Sequence, residues 1–304
     1  MSARMICALI GTAIVMTITT PLVEFFGQGD KGKGYLITMS IYGIVAMFIF
    51  VFTFFNTKEV VPPSVPVDQQ HSTIKDNLKG LTTQTTVLFL LNFLYFGLYV
   101  IRNTTVIYYF TYNLGRTDWL AFVGLFGILS GLPILLILPA LEKRMSKRNV
   151  MFLSVALYMI GDLIIFVGKS SAVMLILGLA VTGLGIYGIF GTTFSIQPDV
   201  IDYSEYKKNK SISGMIAAFQ GFSVKASMGL ASAVIGAALK YSGYVANQQQ
   251  TPEALSAIEI CFIWAPFVVC ILIAVTTYFY TVDKERDAMS IELERRQKER
   301  EHGN

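Results

Sequence analysis

The residues able to do chemistry are concentrated between Gln197 and Lys225, in the stretch QPDVIDYSEYKKNKSISGMIAAFQGFSVK. It leaves a glycine-rich apolar segment and carries Asp199, Asp202 and Glu205, then Lys207, Lys208 and Lys210, across a short loop. A second apolar segment follows, and Lys225 lies twelve residues beyond Ser213 within it. At 1.5 Å per residue that is ~18 Å along a helix, near the middle of a ~30 Å hydrocarbon layer. An ionisable side chain at that depth costs about 2.5–3.5 kcal/mol on insertion scales and marks a functional position. The expectation is a gate over Asp199–Lys210, with Lys225 in substrate or ion binding; a purely structural salt bridge is the alternative for Lys225.

These residues need helices to hold them. The chain has 304 residues, 54% hydrophobic and 14% charged, with a mean hydropathy of +0.58. Soluble domains average about a quarter charged residues, so the composition indicates an all-α membrane protein. Runs of about 20 apolar residues predict eight spans: Met5–Phe26, Tyr35–Phe55, Thr86–Tyr112, Trp119–Leu141, Val150–Val167, Ala172–Ile196, Ser213–Leu239 and Ala257–Thr281. The first is read as a retained helix, because its apolar run is too long for a secretory signal.

Basic residues gather on alternate connections, including Lys143, Arg144, Lys147, Arg148, Lys207, Lys208 and Lys210. By the positive-inside rule both termini are expected in the cytoplasm of a multi-pass inner-membrane protein. The connection 56–85 contains VVPPSVPVDQQ, which favours extended chain, and then a capped amphipathic stretch, Ser72–Lys79. It divides the chain into a two-span part (1–55) and a six-span part (86–281), with a charged tail (282–304) expected to be solvated. Six spans make one complete half of a major-facilitator bundle. The chain thus looks like a twelve-span carrier without its first four helices.

Three further charges fall within spans. Arg102, ~24 Å into its helix, either snorkels toward the headgroups or serves an intramembrane site. Asp162 is too short to snorkel and is expected to pair with Arg102 or Lys225, or to stay protonated. Glu24 lies near a span end. Small residues cluster around Lys225 and in Gly127-x-x-x-Gly131 and Ser232-x-x-x-Gly236, a pattern of close helix packing.

Several function classes are disfavoured. No GxxxxGK[ST], GxSxG or HExxH motif occurs, and the two histidines, His71 and His302, fall in a connection and the tail. The three cysteines stand in apolar runs without CxxC spacing. An enzyme, a metal site, a cofactor and a nucleic-acid partner are therefore not expected.

The motif Pro198-Asp199-Val200-Ile201-Asp202-Tyr203-Ser204-Glu205-Tyr206-Lys207, with Gly214 and Lys225 at their spacing, resembles the loop between helices ten and eleven of the glycoside–pentoside–hexuronide:cation symporters. Gly243-Tyr244-Val245-Ala246-Asn247-Gln248 and Thr251-Pro252-Glu253 resemble the next loop, particularly in glucuronide carriers. Ser204 and Tyr206 depart from the commoner Gly and Trp. The resemblance implies uptake of a glycoside, glucuronides included, with H⁺ or Na⁺ by alternating access. It assigns Lys225 a place beside the sugar and cation sites and Arg4 a sugar contact. It assigns Asp199, Asp202, Tyr203 and Glu205 to the cytoplasmic gate. The family's acidic ligands belong to helices one, two and four, which have no counterpart here. An inactive remnant, or one subunit of a split carrier whose missing helices come from a separate chain, remains the alternative.

Overall fold

The computed structural model describes residues 2–57, 81–169, 171–208 and 213–302. The extended proline run and the amphipathic stretch Ser72–Lys79 lie outside them, as do residues 209–212. Among the described residues, eight helices are long and apolar enough to cross a membrane. The chain divides into two compact units, Ala3–Pro66 and the remainder.

The first unit holds α1 (Ser2–Gly27) and α2 (Lys31–Asn56). The Gly27–Gly34 run, GQGDKGKG, has the composition of a loop, yet only Gln28–Asp30 lies outside helix. Asp30 caps α2 by accepting hydrogen bonds from the backbone N–H groups of Gly32 and Lys33 at 2.9 and 3.2 Å, which draws the next glycines into the first turn. Gln28 and Gly29 take positive φ to make the bend. Thr19 and Tyr42 join the two helices through their hydroxyls at 3.1 Å.

The second unit contains α3 (Thr83–Tyr108), α4 (Leu120–Arg144), α5 (Lys147–Val167), α6 (Ala172–Lys208), α7 (Ser213–Tyr241), α8 (Pro252–Glu259), α9 (Ala265–Tyr278) and α10 (Arg286–His302). Helix α3 starts three residues before its expected position because Thr82 and Thr85 form a reciprocal capping box. It runs into a π-helical turn, Tyr109–Asn113, and a second π turn, Ile260–Trp264, joins α8 to α9. Apolar periodicity gives no warning of either insertion.

The most extensive helix contact is between α5 and α6. A Cβ on Gly185 would collide with the backbone of Tyr158, and one on Gly161 would come within 2.5 Å of the Thr182 nitrogen. Side chains are excluded there because the backbones nearly touch. Helix α7 meets α3 differently. Ser223 Oγ donates to the Phe89 carbonyl at 3.0 Å, and Ser227 Oγ to the Phe93 carbonyl one turn on. Two serines four positions apart thus tie one face of α7 to α3.

The segment after Ile196, expected to be a short loop, is helix. α6 continues through Pro198 to Lys208 over 37 residues, or ~55 Å, well beyond a ~30 Å hydrocarbon layer. The charges that suggest a loop are instead one side of an amphipathic extension. Its other side buries Val200 in a cluster with Ile216, Tyr280, Val282 and Met289, and buries Ser204 one turn on.

The tail also differs from its expected solvated state. Met289 of α10 is buried and Leu293 packs against the same cluster. Arg296 Nη1 donates to the Glu205 carbonyl at 3.4 Å, and Lys207 pairs with Glu285 at 2.6 Å. Glu292, beside Arg296 at 2.8 Å, has its carboxyl held below the usual range chiefly by that hydrogen bond.

Candidate functional site

Lys225 sits on α7 between Ser223 and Ser227, two residues from each. At ~100° per residue, two steps place it on the side of the helix away from the serines. It is exposed, and so are Gly221, Gly229, Ser232 and Gly236 at helical spacing around it. A Cβ added at Gly221, Gly229 or Gly236 would meet nothing within 4 Å. Lys225 forms no ion pair among the described residues.

The small residues around Lys225 therefore divide into two sets. Ser223, Ser227 and Ala231 pack against the bundle. Gly221, Gly229 and Gly236 line an exposed strip from which the Lys225 ammonium projects, flanked by the exposed side chains of Phe222 and Met228. Such a group offers three hydrogen-bond donors and a positive charge, and it can engage a hydroxylated or anionic ligand. Of the two small-residue pairs, Gly131 faces the Tyr187 ring, whereas Gly127 and Gly236 face open space.

Asp162 and Arg102 meet in the interior. Arg102 Nη1 donates to Asp162 Oδ1 at 2.8 Å and to the Phe262 carbonyl at 3.0 Å. Both side chains are buried. The guanidinium carbon lies 4.0 Å from the Phe262 ring centroid and 5.8 Å from that of Tyr158, so aromatic faces complement its charge. Arg102 does not snorkel, and the carboxylate is paired with it and not with Lys225.

The acidic stretch of α6 meets a partner that the sequence reading uses only for orientation. Lys147 begins α5, where the positive helix end disfavours a cation. Its ammonium is nevertheless buried, with Asp199 Oδ2 at 2.7 Å and the Ser195 carbonyl also at 2.7 Å. Ser195 Oγ donates to Glu142 Oε2 at 2.7 Å, and Tyr280 OH donates to Asp199 at 3.4 Å. The Arg148 backbone N–H donates to Asp283 at 3.0 Å. This network fastens the end of α4, the start of α5 and the Ser195–Asp199 stretch of α6 to the start of the tail. Its acceptors Glu142 and Asp283 and its donor Tyr280 escape a reading confined to the motif. The only sequence trace of Lys147 is the basic run Lys143–Arg148.

The other residues expected in the gate are spread around the α6 extension. Asp202 is exposed. Tyr203 has the Lys207 ammonium 5.5 Å from its ring, and Glu205 lends its carbonyl to Arg296. Arg4 lies at the start of α1, and its side chain is outside the described residues. Among the described residues, no three His, Cys, Asp or Glu side chains converge as a metal site.

A family model described as MFS/sugar transport protein matches residues 1–284. The isoprimeverose transporter of Lactiplantibacillus pentosus is 32% identical over 303 residues, covering 96% of this chain and 62% of that protein. The uncharacterized symporter YnaJ of Bacillus subtilis (strain 168) is 32% identical over 301 residues, covering 98% of this chain and 65% of that protein. The glucuronide carrier protein homolog of Escherichia coli (strain K12) is 26% identical over 164 residues, covering 53% of this chain and 36% of that protein. The chain thus spans less than two thirds of the length of these relatives. A multi-pass helical bundle whose match runs from the first residue through the last span carries one consistent assignment: the chain belongs to the MFS/sugar transport protein family.

Proposed function

We propose that this chain forms the lysine-bearing side of a glycoside:cation symport site working by alternating access. The observation that carries the reading is the contrast between the intramembrane cations. Arg102 is consumed by Asp162, whereas Lys225 stands exposed on a glycine-lined helix face with no anionic partner among the described residues. Keeping a charge at that depth is costly unless it is used. Arg4 is proposed as a second sugar contact. The acidic ligands are proposed to lie in the length of the relatives that this chain does not span, either in a longer form of the protein or in a separate chain.

The coupling works through charge. A cation entering among carboxylates offsets their repulsion and favours binding of the sugar, and by linkage the sugar tightens the cation to the same degree. Asp199, Asp202, Tyr203 and Glu205, with Lys147, form the proposed cytoplasmic gate, and both termini are placed on that side. Isoprimeverose is proposed ahead of a glucuronide as the substrate to test. The isoprimeverose transporter matches 96% of this chain, whereas the glucuronide carrier homolog matches 53%. The test is counterflow in proteoliposomes with labelled isoprimeverose and labelled glucuronide, each with and without Na⁺ and across pH. Exchange of the first sugar, responding to one cation, is expected. Absence of exchange for either sugar under every condition would sink the reading.

A further inference from the structure

The buried ion pair leaves polar atoms unused. Arg102 Nη2, Asp162 Oδ2 and the Tyr158 hydroxyl are all buried without a hydrogen-bond partner. Tyr158 and Asp162 stand four residues apart on α5, hence on one face, and the guanidinium lies over the Tyr158 ring at 5.8 Å. Nη2 and Oδ2 belong to the same guanidinium and carboxylate that form the ion pair, so both orphan atoms stand at one buried contact. A fourth orphan, the Tyr109 hydroxyl, belongs to a ring stacked 4.4 Å from Phe262, and Phe262 packs on the guanidinium. Tyr109 and Phe262 occupy the two π turns, a distortion that often accompanies functional sites.

Unpaired polar atoms are costly at membrane depth, where bulk water cannot satisfy them. The chemistry of the orphans identifies what would. Nη2 can only donate, an ionised Oδ2 can only accept, and a tyrosine hydroxyl does either. A metal cation would satisfy the acceptor alone and a halide the donors alone. Water satisfies both, and buried waters typically make two to four such bonds.

We propose that α3, α5 and the Ile260–Trp264 turn enclose an internal hydration site holding one or more ordered waters on Arg102, Asp162 and Tyr158. Hydration gives the pair bonds to exchange as the helices move, so that Arg102 and Asp162 can separate slightly without either being stranded.

X-ray radiolytic footprinting of the purified protein in H₂¹⁸O tests this, because hydroxyl radicals form from waters held inside the fold. Tyr158 is expected to take up label faster than Met151, a fully buried and more reactive side chain on the same helix. Replacing the pair by the apolar double variant Arg102→Met/Asp162→Leu is expected to abolish the excess. Tyr158 as unlabelled as Met151 in the unmodified protein would overturn the proposal, and so would excess label that persists in the double variant. If that variant does not accumulate, the unmodified protein decides alone.

Discussion

Arg102 and Asp162 lie 60 positions apart in the chain and 2.8 Å apart in the fold, joining α3 to α5 through a buried ion pair. Breaking one side of such a pair strands a charge and costs about 3–5 kcal/mol, whereas replacing both partners with apolar residues is often neutral. Asp162→Ala and Arg102→Ala should therefore each sharply reduce accumulation of folded protein. The double variant Arg102→Met/Asp162→Leu should recover most of it. Fluorescence-detected size-exclusion profiles and melting midpoints in detergent check this. Equal loss in the single and double variants would contradict it.

The Lys147–Asp199 contact makes a reciprocal prediction. Removing either group leaves the other charge without its ion-pair partner, so Lys147→Ala or Asp199→Ala should impair transport by about tenfold or more. The exchange Lys147→Asp/Asp199→Lys should restore part of the loss. Initial uptake rates of the two single variants and the exchange decide it. An exchange no better than the single variants would remove the pair from the account.

Glycines that look alike in the sequence should respond differently. Gly185→Ala forces α5 and α6 apart at the Tyr158 backbone and should cost about 1–3 kcal/mol of stability. Gly229→Ala meets open space and removes a weak helix former, so it should be neutral or stabilising by up to ~1 kcal/mol. Melting midpoints of the two variants measure the contrast. Equal shifts would mean that the α5–α6 approach is looser than described.

The tail should act on the α6 extension. Met289→Asp places a carboxylate in the cluster that holds Val200, at a cost of several kcal/mol locally. Hydrogen exchange across 199–208 should accelerate, while exchange in α5 stays unchanged. Unaltered protection over 199–208 would show that the extension stands without the tail.

The spans were readable because twenty apolar residues in sequence can do little else than cross a bilayer. Lys225 stood out by its depth for the same reason. The α6 extension was not readable, because charge density resembles a loop until Val200 and Ser204 are seen at the buried positions of the same helix. Lys147 was hidden within a basic run whose other members sit near membrane ends, and only the fold tells which of them is buried. The partner of Asp162 was open between Arg102 and Lys225, since linear depth does not give the direction in which a side chain points. The division of α7 into a serine face and a glycine face was implicit in the spacing. It became decisive only once α3 was known to take the serines.

Lys225 is proposed to stay exposed in the membrane in order to engage the transported solute or its cation. The most direct measurement is uptake of labelled isoprimeverose by vesicles carrying the protein, with unmodified Lys225, Lys225→Arg and Lys225→Ala compared at equal protein levels. The account predicts uptake well above empty vesicles for the unmodified protein, loss in Lys225→Ala, and at most partial activity in Lys225→Arg. Uptake by Lys225→Ala equal to that of the unmodified protein would contradict it.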